Sequence, residues 1–314
     1  MHRSQLPRIA LVTYAGLPAL SDDDRLLPPA LEAQGLRGDA VLWNDPDVDW
    51  KRYAAVVLRS SWDYHYHPAE FLAWVSALEA DGVVLLNPPD VLRWNADKSY
   101  LRDLEAAGVR TVPTRWVTAE SPPTLTAILA DTGWDEAVVK PAVSAAARDT
   151  WRVARAVTSA DEERLTELVR RGAVLVQPFI DAVATQGELS LIFLDGRYSH
   201  AVLKRPKPGD FRVQSTHGGS VEQAYPNDAV VRQAATVLRA APDVAIQSLY
   251  ARVDGVMIGN ELVLMELELI EPALFLGTHP HAATRLASAL ARRIAGTGQD
   301  GATTGLVGTF QAGN

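Results

Sequence analysis

Near the carboxy-terminal end of this chain runs Met265-Glu266-Leu267-Glu268-Leu269-Ile270-Glu271-Pro272, a segment in which acid and leucine alternate. On a strand, side chains two apart share a face, so Glu266 and Glu268 point one way while Leu267 and Leu269 point into packing. Two adjacent carboxylates repel unless something positive lies between them. Magnesium is one answer, since it takes hard oxygen ligands from one or two carboxylates plus substrate phosphates. An exposed strand face that merely carries acids is the other. Asp254, on the preceding strand, adds a third acid to the same hairpin, provided the register sets it opposite Glu266. Residues directly opposite keep a constant sum of position numbers. A two-residue turn at Gly259-Asn260 therefore sets Asp254 against Met265, on the wrong face. A three-residue loop, or a one-residue bulge, sets it against Glu266. The three carboxylates are then expected to converge within reach of one or two magnesium ions.

Cations precede these acids. Lys140 ends the apolar stretch Ala137 to Val139 and is followed by Pro141 and the small residues Ala142 to Ala147. Such a loop can bring backbone N–H groups to a phosphate; a solvated lysine at a strand end is the plainer alternative. The Gly-x4-Gly-Lys-Ser/Thr phosphate loop is absent. Gln177-Pro178-Phe179-Ile180 closes a buried strand and can either present backbone groups to an adenine edge or simply end the core. Lys204-Arg205-Pro206-Lys207 and Arg212 form a basic stretch, suited to charge on a transferred phosphoryl group or to solvent. His217, beside two glycines, reads as a turn residue. Arg59-Ser60-Ser61-Trp62-Asp63-Tyr64-His65 follows a buried strand, where ligand loops gather. Arg59, Trp62 and Asp63 are expected to face the cleft and meet a carboxylate substrate.

The elements that must position these groups follow from pattern. Apolar runs at Ile9 to Tyr14, Ala40 to Trp43, Ala54 to Arg59 and Val83 to Leu86 alternate with helices at Asp22 to Gln34 and Pro68 to Ala80. That is an α/β unit with a parallel sheet. Beyond it, a helix from Leu101 to Ala107 leads to short strands between Val109 and Val117. A helix from Asp161 to Arg171 then precedes the strand Val174 to Phe179. Two hairpins come last, Glu188 to Leu194 with Arg197 to Leu203 about Asp195-Gly196, and Tyr250 to Ile258 with Leu262 to Leu269. The Gly- and Thr-rich segment after residue 295 is expected to be disordered.

Bulk composition narrows the classes. A net charge of −8 argues against nucleic acid or an anionic membrane as the main partner. With no cysteine, disulfides, thiolate metal sites and a cysteine nucleophile are excluded. Met1 to Arg8 lack the apolar core of a signal peptide and no run is long enough to span a bilayer, so a cytoplasmic protein is expected.

Taken in order, Lys98, Lys140, Gln177 to Ile180, Glu188, Lys204 with Arg212, Asp254, Glu266 and Glu268 resemble the ATP-grasp superfamily, in its glutathione-synthetase-like branch. The phrases Arg59-Ser-x-Trp62-Asp63-Tyr64, Asn95-x-Asp97-Lys98, Val139-Lys140-Pro141-Ala142 and Glu266-Leu-Glu268-Leu-Ile-Glu271-Pro272 resemble its O-ureido-serine cyclo-ligase group. The resemblance runs from about Ile9 to about Arg293. It implies an α/β fold, α+β in the clamp: an amino-terminal domain (1–95), a central lid (96–185), a carboxy-terminal domain with the metal site (186–295) and the tail (296–314). It implies that Lys98 and Lys140 hold ATP phosphates, that Gln177, Phe179 and Ile180 line adenine, and that Glu188 reaches the ribose. Lys204, Arg212 and Arg252 would serve the transferred phosphoryl group, and Asp254, Glu266 and Glu268 one or two magnesium ions. Two departures stand out: the loop after Lys140 is alanine-rich where relatives carry glycine, and Glu268 stands where many carry asparagine.

The activity implied is ATP- and magnesium-dependent ligation of a small amino-acid-like carboxylate to an amine through an acyl phosphate. Ring closure and joining of two amino acids both remain open, as do a small-molecule kinase and a non-catalytic ATP-binding protein. No nucleic acid or membrane partner is implied, and a homodimer is left open. Because two separated lysines share the phosphates on this reading, Lys98→Ala and Lys140→Ala should each weaken ATP binding while leaving the fold intact. Calorimetry returning wild-type ATP affinity for both variants would contradict the assignment.

Overall fold

The computed structural model describes residues 6–300, apart from 121, 146, 215–216 and 243–246. Its first sheet is parallel and takes β1 (Arg8–Thr13), β2 (Arg37–Leu42), β3 (Ala55–Leu58) and β4 (Leu85–Leu86) in the order β2-β1-β3-β4. The period of two is visible in its packing. Ile9, Leu11, Ala55 and Val57 enter one core, while Ala10, Val12, Val56 and Leu58 enter another. Both faces are covered, so β1 and β3 carry almost no polar residue.

The helices on those faces are α1 (Leu27–Glu32) and α2 (Pro68–Ala80). The long helix expected over 22–34 is broken into a 3-10 turn at Asp24–Leu26 followed by α1. Pro28 and Pro29 are the reason: proline is tolerated in the first turn of a helix and not in its interior, so the α-helix begins at Leu27. Next come α3 (Pro89–Asn95) and α4 (Tyr100–Ala106).

A second, antiparallel sheet takes β5 (Arg115–Val117), β6 (Glu136–Pro141), β7 (Trp151–Ala154) and β8 (Val174–Pro178) in the order β5-β8-β6-β7. Helices α5 (Leu125–Thr132) and α6 (Ser159–Arg171) share its apolar core. The expected start of α6 moves back two residues because Thr158 and Asp161 form a capping box, each side chain accepting from the other's backbone N–H.

The third sheet follows α7 (Asp181–Thr185) and is antiparallel too. It orders β9 (Glu188–Leu194), β10 (Arg197–Arg205), β11 (Ser220–Ala224), β12 (Tyr250–Ile258) and β13 (Glu261–Glu268) as β11-β10-β9-β12-β13. Helix α8 (Asp228–Ala240) packs near β13, and α9 (Ala282–Asp300) lies against α1. The expected disordered tail, 296–314, overlaps the end of α9 and otherwise lies outside the described residues.

The β12–β13 register answers the question the sequence raised. The turn is the two-residue one, pairing Ile258 with Glu261 and Gly255 with Leu264. Between Gly255 and Asp254 the pairing slips by one residue, leaving Met265 as the extra, and Asp254 then pairs with Glu266 and Arg252 with Glu268. A bulge therefore does what a longer loop would have done. Gly255 sits beside the slip, where a Cβ would lie 2.8 Å from the Val263 carbonyl oxygen, so a side chain has no room there.

Two asparagines tie the first sheet to this hairpin. Asn87 donates to the carbonyls of Tyr250 (2.9 Å) and Leu269 (2.7 Å) and accepts from Leu249 N (2.7 Å). Asn95 donates to Leu267 O and accepts from Leu269 N, both at 2.8 Å. Removing a buried partner costs about 1–3 kcal/mol for each group orphaned. Asn87→Ala should accordingly lower stability by more than about 2 kcal/mol in urea unfolding. A change near zero would show that those backbone groups find other partners.

Candidate active site

A cavity of about 350 Å3 draws its lining from β6 and β8, from β9, β10, β12 and β13, and from Trp62 and Tyr64 in the loop after β3. Every residue to which the resemblance assigns a role lines it, as does Trp62, while Arg59 and Asp63 do not. Cations and carboxylates alternate through its interior. Lys98 Nζ lies 3.1 Å from Glu266. Lys204 Nζ lies 2.5 Å from Glu188 and 3.2 Å from Asp254. Arg252 holds Asp254 at 2.8 Å and also pairs with Glu268. Asp254 is the most satisfied of the acids, accepting in addition from Ser190 Oγ at 2.6 Å.

The loop after β6 is tied down by the same charges. Lys98 Nζ donates to Ser144 O at 2.7 Å, and Lys98 N donates to Ala142 O at 3.0 Å. Ala147 and Asp149 adopt left-handed φ (56° and 54°), a conformation that glycine accepts with less strain. The alanine-rich loop thus turns without glycine. Arg148 beyond it stacks 4.0 Å above the Tyr66 ring, linking this loop to the first domain's loop. At the end of β8, Gln177 donates to Thr114 Oγ1 at 2.8 Å, and Phe179 meets Phe211 edge-on with Arg152 stacked 3.8 Å from its ring centre. Arg212 is held at 2.9 Å by Asp210.

Comparison with known proteins decides what this cleft belongs to. The chain is 35% identical over 301 residues to the cycloserine biosynthesis protein DcsG of Streptomyces lavendulae, covering 91% of this chain and 98% of that one. The chain belongs to the DcsG family of ATP-grasp ligases. The family model for the amino-terminal domain of D-cycloserine synthetase DcsG matches residues 9–87. The crystal structure of D-cycloserine synthetase DcsG superposes with a TM-score of 0.82 at 32% identity, covering 91% of this chain and 99% of that one. A D-alanine–D-alanine ligase from Bacillus anthracis, complexed with ATP, shares the fold with a TM-score of 0.66 at 15% identity, covering 94% of this chain and 99% of that one. As a member of this family the chain is an ADP-forming carbon–nitrogen ligase. Among the described residues, no helix is long and apolar enough to cross a membrane.

Within this ligase cleft, three expectations need correction. Arg59 does not face the substrate: it is fully buried, paired with Asp24 at 2.9 Å, donating to Pro272 O at 2.8 Å and stacked on Tyr250. A guanidinium that ends a buried strand needs internal acceptors, and Asp24 and the Pro272 carbonyl supply them. Asp63 instead accepts from Trp43 Nε1 at 2.8 Å, beside the first sheet. Nor should Lys98→Ala leave the fold intact: Lys98 is 7% exposed and ion-paired, so its loss should cost stability as well as nucleotide affinity.

The three acids also fall short of a ready-made metal cluster. Among the described residues, no three acidic or histidine side chains converge to hold an ion. Each carboxylate is instead turned toward a built-in cation. Sequence reasoning missed Glu271, a buried acid in the cavity lining, although it stood inside the motif. Its odd spacing from Glu268 put it off the strand face being counted.

Protonation follows from burial and these pairs. Burial alone would raise Asp254, but Arg252 and Lys204 hold it well below the usual carboxylate range. Burial likewise opposes ionisation of Glu266, which Lys98 and Lys140 nevertheless keep low. For Lys140 burial wins, lowering its pKa, with Lys98 adding repulsion. Glu268 is pushed up to about 7 by burial, with Glu266 and Asp254 adding repulsion that Arg252 only partly offsets. Glu271 is pushed up to about 8 by burial and then by Glu268. These two acids bind more protons folded than unfolded between the ordinary carboxylate value of 4.5 and those raised values. Stability therefore falls as pH rises through that window. The ligand-free enzyme should melt at lower temperature at about pH 8 than at about pH 6, and Glu268→Gln should flatten the slope. A melting temperature that rises over this range would contradict the assignment of surplus buried charge.

Proposed function

We propose that this enzyme closes an O-ureido-serine-like amino acid into a cyclic amide at the expense of ATP. The observation that carries the reading is the likeness to DcsG along nearly the whole of both chains, with the candidate nucleotide residues gathered in one cleft. A substrate carboxylate oxygen attacks the γ-phosphorus of ATP, the bond to the β-phosphate oxygen breaks, and ADP leaves. The acyl phosphate then meets a nitrogen of the same molecule. A C–N bond forms, the C–O bond to phosphate breaks, and the nitrogen gives up a proton. Phosphate is a far better leaving group than hydroxide.

The chain's own groups suit these tasks. Lys98 and Lys140 would hold phosphates, with Gln177, Phe179 and Ile180 at the adenine and Glu188 at the ribose. Lys204, Arg212 and Arg252 bring positive charge to the phosphoryl group in flight, where it is worth most in a site closed to water. Trp62 and Tyr64 wall the substrate end. Glu266 and Glu268 offer hard oxygen donors, and at Glu268 Arg252 only partly offsets burial and the neighbouring acids, which fits one or two magnesium ions. Asp254, already engaged by Ser190, Lys204 and Arg252, would serve by orienting them. When bound, magnesium neutralises phosphate charge and polarises the transferring group. We place the reaction in the cytoplasm, where ATP is made.

Incubation with ATP, magnesium and O-ureido-serine, followed by mass spectrometry, tests the reading. One ADP per cyclised product, with no second amine required, is expected. ADP release that appears only when a second amino acid is added would replace ring closure by intermolecular ligation.

A further inference from the structure

The cavity is faced by the carboxylates of Glu188, Asp254, Glu266, Glu268 and Glu271. The first four each have a lysine or arginine within ion-pair distance. Among the described residues, none of the ion pairs includes Glu271, although that residue is only 8% exposed. Its position is fixed from behind. Trp62 Nε1 donates to the Glu271 carbonyl oxygen at 3.1 Å, and Arg59 donates to the next carbonyl, that of Pro272, at 2.8 Å. Trp62 and Tyr64 line the same cavity, and the Glu271 charge acts on the Tyr64 hydroxyl, so this acid lies beside aromatic walls.

A carboxyl buried in this way ionises only at a cost unless a cation reaches it, and aromatic faces also favour a cation. Every other acid in the cleft has a cation at ion-pair distance, whereas Glu271 has only the longer-range pull of Lys98 and a backbone N–H, which leaves room for an arriving cation. We propose that Glu271 receives the α-ammonium group of the amino-acid substrate, with Trp62 and Tyr64 forming the wall of that subsite. The inference rests on the ligase reading above and narrows its substrates to those with a free primary ammonium beside the reacting carboxylate. An analogue lacking that group leaves Glu271 buried without a cation at ion-pair distance, which is how a polar site rejects a ligand. Arg59, expected from sequence to touch the substrate, acts at one remove: it pins the backbone that carries Glu271.

The test compares O-ureido-serine with its deamino counterpart, in which hydrogen replaces the ammonium, in the wild type, Glu271→Gln and Glu271→Asp. ADP release gives kcat/KM for each. The wild type should prefer the amino substrate by about tenfold to a hundredfold, the worth of a hydrogen bond to a charged group. Glu271→Gln should bring the ratio toward unity without changing KM for ATP, and Glu271→Asp should keep much of it. A Glu271→Gln enzyme that retains the full preference overturns the inference, as does one whose main change is in magnesium dependence, which would give Glu271 to the metal. Equal kcat/KM for the two compounds in the wild type overturns it without any variant, so a misfolded Glu271→Gln leaves the question decided by the wild type and Glu271→Asp. Should the wild type release ADP with neither compound, the ligase reading fails first and this inference with it.

Discussion

The cleft depends on Asp254 being buried between two cations. A carboxylate taken out of water loses several kcal/mol of hydration, and only close opposite charge with good hydrogen bonds restores it. Arg252 and Lys204 provide the charge and Ser190 the remaining bond. From that centre the pairing spreads outward, through Lys204 to Glu188 and through Arg252 to Glu268. The strands β9, β10, β12 and β13 each contribute one or more members, so the register of the third sheet and the charge order of the site are one constraint. A slip of one residue would send Glu266 and Glu268 to the opposite face. The bulge at Met265 is what keeps the acids of β12 and β13 on the same side.

Much of this was legible in the sequence, for identifiable reasons. The Asp195-Gly196 turn is a two-residue hairpin signal, and both residues take the left-handed φ such a turn requires (53° and 71°). The period of two placed Glu266 and Glu268 together. What the sequence left undecided was the register of Asp254, because a bulge and a longer loop give the same pairing. Strand β7 and helix α5 escaped notice because both are short and their apolar residues pack only against the second sheet's own core. Arg59 misled because a cation after a buried strand looks like a ligand-binding group, whereas its partner, Asp24, lies 35 positions earlier. Local spacing carries no trace of such a pair.

The charge order has a consequence for ligand binding. On the proposed assignment, the cations that would hold phosphates are paired in this cleft with the acids that would hold magnesium: Lys98 with Glu266, Arg252 with Glu268. A nucleotide arriving without metal must draw Lys98 away from Glu266 and leave that carboxylate bare. A metal arriving without nucleotide would displace those cations with nothing to receive them. Together, metal and phosphates would exchange partners with the protein's pairs and leave no charge uncompensated. We therefore expect the two ligands to bind as a unit, with a coupling that is equal in both directions, as linkage requires.

Calorimetric titration of ADP in the absence and presence of saturating magnesium measures that coupling directly. The partner-exchange account predicts that magnesium tightens ADP by more than about tenfold beyond the change it makes in a Glu266→Gln, Glu268→Gln double variant, a coupling of more than about 1.4 kcal/mol. If magnesium tightens ADP equally in the wild type and in the double variant, the acids of β13 do not hold the metal, and the account is contradicted.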